Sequence, residues 1–208
     1  MLYLLVYYLS VFSPLLPIIT GIRKWKSLLW FYAVTGISFD LISMLLRQYY
    51  APGKPNLSIA ENIFLVGEFL LISMFYRNKL FIKKNYFYII TVCIIVLYVF
   101  STILKTNTTF NFIGGTIFDF TCIILAIAGL YSLLKRGKVL FLDKSQFFWV
   151  NVAMLIYCTG NFLVFLFGEY LQQQNSNLIY DLWVFHNILN IIFSILIAIS
   201  FSKRASEA

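Results

Sequence analysis

Sixteen lysines and arginines punctuate this chain, and none falls inside any of its seven long apolar stretches. The stretches cover residues 2–20, 28–46, 59–76, 86–104, 112–134, 147–168 and 182–202. Each is near the ~20 residues that an α-helix needs to cross a bilayer. The expected fold class is all-α, a polytopic membrane protein with seven transmembrane helices in one domain over residues 1–208.

Between the stretches the basic residues alternate. Arg23, Lys24 and Lys26, then Arg77, Lys79, Lys83 and Lys84, then Lys135, Arg136, Lys138 and Lys144, and finally Lys203 and Arg204 share one side. Only Arg47, Lys54 and Lys105 share the other, a division of thirteen against three. Positive charge is retained in the cytoplasm, so the amino terminus is expected outside and the carboxyl terminus inside. Trp25, Trp30, Tyr86, Tyr131 and Trp149 then fall near the inner interface, and Tyr49, Tyr50, Tyr170, Tyr180 and Trp183 near the outer one, as aromatic belts require.

A mean hydropathy of +0.86 with 12% charged residues excludes a soluble domain and points to a cell membrane, inner or plasma. The net charge of +8 lies in the inner loops, where it meets anionic headgroups, so the bilayer is the expected partner and nucleic acid is not. Phe, Tyr, Ile, Asn and Lys are enriched together, which reads most of the aromatics as lipid-facing. The first stretch lacks a basic leader and a small-residue cleavage site and carries Pro14 and Pro17, so it is kept as a spanning helix. Cys93, Cys122 and Cys158 all fall within spans without C-x-x-C spacing, indicating buried apolar side chains rather than disulfides or a metal site. Asn56-Leu57-Ser58 and Asn107-Thr108-Thr109 match the glycosylation sequon on loops expected outside.

The polar residues inside the spans are few and lie mostly in the outer half. An ionised carboxylate at the bilayer centre costs roughly 2.5–3.5 kcal/mol, so Asp40, Glu61, Glu68 and Asp119 are expected to face the bundle or water. Asn161 in the sixth stretch and His186, Asn187 and Asn190 in the seventh sit at similar depth. Glu61 and Glu68 lie two turns apart on one stripe, and Trp183, His186, Asn187 and Asn190 follow the spacing of a single helical face. Asn161, Asn187 and Asn190 serve equally well as hydrogen-bonding glue between helices. His186 is the one cationic partner at that depth and is expected to contact Glu61, Asp40 or Asp119.

Helices 1–3 and 5–7 of such a chain share orientations, which makes a parallel 3+1+3 repeat topologically available. Glu61-Asn62-Ile63 laid on His186-Asn187-Ile188 also matches Leu71-Ile72 with Leu196-Ile197. Seven helices in this orientation resemble microbial rhodopsins, but the last span has no lysine for a retinal linkage before Lys203, so no cofactor is indicated. One histidine excludes the three-histidine zinc hydrolases. Ser38-Phe39-Asp40, Glu61-Asn62-Ile63, Tyr157-Cys158-Thr159-Gly160-Asn161 and His186-Asn187-Ile188-Leu189-Asn190 together resemble small bacterial seven-helix integral membrane proteins, a resemblance that implies no activity. Asp40 is also similar to the first of two aspartates in the lysoplasmalogenase family. Asn161 stands where the second belongs, and hydrolysis needs two carboxylates to share acid and base roles.

The function expected is that of a non-catalytic sensor or signalling component, with an outward-facing polar pocket for a small ligand or lipid headgroup. Asp40, Glu61, Glu68, Asp119, Asn161, His186, Asn187 and Asn190 are expected to line it, the carboxylates meeting cationic or hydroxylated groups and the amides orienting them. Output would pass to a protein partner on the basic inner face. The alternatives are a small-solute transporter using the same residues at the repeat interface and a lysoplasmalogenase-like lipid hydrolase. The charge bias makes a direct prediction: an impermeant thiol reagent should label Gln174→Cys from outside intact cells and reach Lys79→Cys only after permeabilisation. The reverse pattern inverts the topology.

Overall fold

The computed structural model describes residues 2–24, 26–49, 55–77, 79–80, 84–104, 111–136, 142–174 and 178–203. The described chain is helical. Its helices are α1 (Leu2–Phe12), α2 (Leu15–Thr20), α3 (Leu28–Tyr49), α4 (Pro55–Arg77), α5 (Lys84–Leu104), α6 (Phe112–Arg136), α7 (Gln146–Gln173) and α8 (Leu178–Ser202), with short 3-10 turns at Ile22–Lys24 and Leu142–Lys144. Among the described residues six segments are long and apolar enough to cross a membrane, which identifies a multi-pass membrane protein; Tyr3–Thr20, covering α1 and α2 together, is one of them. α4 has 23 residues and carries Glu61 and Glu68. The sequon at Asn107 lies outside the described residues. Asn56–Ser58 falls in the first turns of α4 rather than on a loop, because Pro55, with φ preset for a helix and no N–H to lose, opens it.

Local chemistry sets the other starts. The Ser27 hydroxyl accepts from the Trp30 amide at 3.2 Å and caps α3. Asn111 does the same for α6 through Gly114 N at 2.9 Å, and its amide donates to Ser101 and Thr102 at the end of α5.

The first span divides at Pro14, which cannot donate to the carbonyl of Ser10. Donors from elsewhere replace the lost bond. The Ser13 hydroxyl and amide reach Ser10 O at 2.8 and 3.1 Å, and Asn190 of α8 donates to Ser10 Oγ at 3.0 Å. Ser13 Oγ lies 2.9 Å from Ser194 Oγ, so the break is seated against α8. At the far end Lys24 Nζ donates to the carbonyls of Phe201 and Lys203, each at 3.1 Å, closing the C-terminus of the same helix.

α1 and α2 pack on α8, α8 on α7, α7 on α6, α6 on α4, α4 on α3, and α3 on α1 and α2. α5 stands outside this ring against α4 and α6, held by Tyr98, whose hydroxyl donates to Asn62 Oδ1 at 2.6 Å. Its outer face is a continuous apolar surface from Ile89 to Ile103 suited to lipid, and Cys93 is exposed there, contrary to the expectation of burial.

Many aromatics face inward instead of toward lipid. Phe69, Phe118 and Tyr98 stack in sequence at 4.5 and 4.3 Å, joining α4, α6 and α5. Buried Tyr76 donates to Asn151 Oδ1 at 2.9 Å across α4 and α7.

The closest approaches are made at glycines. A Cβ on Gly129 of α6 would come within 2.2 Å of Asn151 Oδ1, and one on Gly160 of α7 within 2.3 Å of Leu189. Small residues at such seams let helices meet where no hydrophobic drive separates helix from lipid. Gly129→Ala should therefore destabilise the bundle by about 1–3 kcal/mol, read as a fall in Tm in detergent. Gly67→Ala, where a Cβ meets nothing within 4 Å, should leave Tm unchanged.

Candidate functional site

The ring encloses one large cavity of about 520 Å³. Its upper wall holds Tyr3, Tyr180 and Trp183, at the end of the bundle where α1 and α8 begin, and its floor is Pro17, Ile72, Met154 and Ile197. α5 contributes nothing to it. Asp40 from α3, Glu68 from α4, Asp119 from α6, Asn161 from α7, and His186, Asn187 and Asn190 from α8 all line it. The sequence brings them together because each lies on the ring-facing stripe of its helix at comparable depth. The side chain of Glu61 lies outside the described residues.

The groups differ in how they are held. Glu68 accepts a hydrogen bond at Oε1 from the hydroxyl of Tyr32, two turns before Asp40 on the same face of α3. His186 Nδ1 lies 2.9 Å from Asn161 Oδ1, and since an amide oxygen only accepts, Nδ1 carries the proton. At this nitrogen an amide stands where a carboxyl was expected. Asn161 is 1% exposed, so the bond is sheltered, and Trp183 sits edge-on to the imidazole with centroids 5.4 Å apart. Asn190 is committed to Ser10 at the α1/α2 break, so it serves packing as well as the wall.

Asp119 is the exception. It is 8% exposed, and its Oδ2 has no hydrogen-bond partner. The thiol of Cys158 is its side-chain neighbour, and Glu68 lies within electrostatic reach. Glu68 and Asp119, on α4 and α6, are thus two carboxyls of the cavity that feel each other's charge. Among the described residues no three His, Cys, Asp or Glu side chains converge as metal ligands.

Residues absent from the sequence-based roster complete the wall: Tyr32, Tyr157, Phe118 and Phe193, with Tyr157 and Phe193 ring centroids 4.8 Å apart. Tyr32 continues the Gly36, Asp40, Ser43 stripe and Tyr157 precedes Asn161 by one turn, so helical spacing alone signals both. No protein-family model, no curated protein and no solved structure matches this chain.

The Tyr32–Glu68 bond makes a testable pair. Tyr32→Phe leaves a carboxyl oxygen without its donor in the bundle and should cost about 1–3 kcal/mol, whereas replacing both partners by apolar groups is nearly neutral. Thermal unfolding should accordingly show Tyr32→Phe well below wild type, with Glu68→Leu added to it recovering most of the loss. A double variant no more stable than the single one would rule out this coupling.

Proposed function

We propose that the chain is a non-catalytic, receptor-like membrane protein of seven spanning helices, amino terminus outside and carboxyl terminus inside, which binds a small ligand or lipid headgroup in the cavity at its outer end. One observation carries this reading: Asp40, Glu68, Asp119, Asn161, His186, Asn187 and Asn190, from five separate helices, line a single cavity. Its volume falls within the roughly 300–1,000 Å³ of small-molecule sites, and an aromatic wall with a few convergent polar groups is how such sites are built. The apolar floor of Pro17, Ile72, Met154 and Ile197 favours retention of a ligand over its passage. At the opposite end Arg23, Lys26, Lys135 and Lys144 are exposed, a basic face suited to anionic headgroups and to a cytoplasmic protein partner that reads the bound state.

A second reading, a small-solute transporter, draws on the register of the wall. With residue 61 laid on residue 186, the lining positions Leu65, Glu68, Phe69 and Ile72 of α4 fall on Asn190, Phe193, Ser194 and Ile197 of α8, which also line the cavity. A parallel 3+1+3 repeat with α5 as its linker produces this correspondence.

Gly36 gives the test of the pocket. It lies on the lining face of α3, and a Cβ there meets nothing within 4 Å, so a larger side chain fills the cavity without displacing a neighbour. Small molecules retained by the purified wild-type chain, measured by native mass spectrometry, should be lost from Gly36→Leu while its Tm does not fall. Identical retained masses in the two proteins would sink the pocket as the binding site.

A further inference from the structure

The charges facing the cavity are one-sided. Asp40, Glu68 and Asp119 bring three carboxyls, and among the described lining residues there is no lysine or arginine. His186 is the one cationic side chain, and its Nδ1 is already engaged by Asn161. A carboxyl enclosed by apolar helices needs a proton, a donor or a cation opposite it. Asp119 has the Cys158 thiol beside it and no cation, and its enclosed Oδ2 has no hydrogen-bond partner. Carboxyls that line a cavity without lysine or arginine are matched by positive charge on whatever occupies it.

The size and the remaining wall narrow the occupant. At about 520 Å³ the cavity is far larger than an ion, and the described acidic and sulfur side chains do not converge as metal ligands. Between the carboxyls stand aromatic rings: Phe118 stacked on Phe69 at 4.5 Å, Tyr32 edge-on to Phe193 at 5.9 Å, and Tyr157 against Phe193 at 4.8 Å. Aromatic faces beside carboxylates are the combination that holds ammonium groups, through cation–π attraction and charge-assisted hydrogen bonds together.

We propose that the cavity is a site for a small organic cation, its ammonium group seated between Glu68 and Asp119 against Tyr32 and Tyr157. This rests on the reading of the cavity as a ligand pocket and specifies what that pocket takes. The same ammonium chemistry comes from a free amine or from a choline or ethanolamine lipid headgroup. The headgroup also carries a phosphate, which repels these carboxyls, so the free amine fits better.

Matched probe pairs decide the matter: choline with its uncharged carbon isostere 3,3-dimethylbutan-1-ol, and 2-phenylethylamine with its uncharged hydroxyl counterpart 2-phenylethanol. Binding to the full purified chain in detergent is measured by calorimetry for wild type, Asp119→Asn, Glu68→Gln and Gly36→Leu, with Tm and circular dichroism reporting that each variant is folded. The charged member of at least one pair should bind roughly tenfold or more tighter than its isostere, and Asp119→Asn or Glu68→Gln should remove that preference while leaving the weaker neutral binding in place. Glycerophosphocholine is the arm that separates the sources: weaker binding than choline assigns the site to a free amine, and tighter binding assigns it to a headgroup. Isosteres that bind as well as the cations, and are lost in Gly36→Leu, overturn the cation assignment and leave the pocket standing. Binding of no probe of either charge overturns both. If a carboxyl variant fails to fold, the charged-against-neutral comparison on wild type still decides.

Discussion

A carbonyl or carboxyl enclosed by apolar helices has to find a donor, and that requirement arranges most of this bundle. Ser10 O, abandoned by Pro14, is met by Ser13, with Asn190 of the last helix bonded to the Ser10 hydroxyl beside it. Glu68 is met by Tyr32, Asn161 by His186, and Asn151 by Tyr76. Apart from Ser13 to Ser10, each bond joins two helices, so satisfying these polar atoms and fixing the neighbour order are the same event. Among the described residues Asp119 keeps a closed-off oxygen without a partner, as do the hydroxyls of Ser43, Ser73 and Ser145, and of these Asp119 and Ser43 line the cavity.

Packing divides the ring into unlike parts. Along α6, α7 and α8 glycines let backbone and side chain meet at distances that leave no room for a Cβ. A seam of that kind has one arrangement, because close-packed interiors change in discrete steps and not by gradual deformation. Around α1, α2 and α3 the wall depends on hydrogen bonds and a helix already interrupted at Pro14. A pocket framed this way has a tightly packed back, which carries Asp119, Asn161 and His186, and a front held by polar contacts around a helix break. That asymmetry is what a site needs if an occupant is to alter the shape of the protein.

Much of this was legible in the residue order. The apolar runs locate the long helices, although the helices overrun them: α7 continues through Gln173 and α4 begins at Pro55, since helical bonding persists where hydropathy has already ended. The convergence of Asp40, Glu68, Asp119, Asn161, His186, Asn187 and Asn190 follows from depth and spacing because polar groups in an apolar medium share one destination. The partners within that set were not legible. His186 bonds an amide and Glu68 a tyrosine, and such choices depend on ring orientation and on helix rotation that periodicity does not encode. Aromatic residues were harder still, because Phe118 in the wall and Phe120 facing outward are the same residue type two positions apart, and only the face distinguishes them.

The seating of α1 and α2 on α8 has a consequence for the order in which the protein is made. Ser10, Ser13 and Lys24 are synthesised well before their partners on α8 and just beyond it, Asn190, Ser194 and the carbonyls of Phe201 and Lys203. Until α8 is made the interrupted first segment sits in the membrane without the side chains of that helix that steady its break. α8 therefore completes the seating of α1 and α2, and a nascent chain halted before Asn190 holds a first span whose break has Ser13 but not yet α8 to steady it.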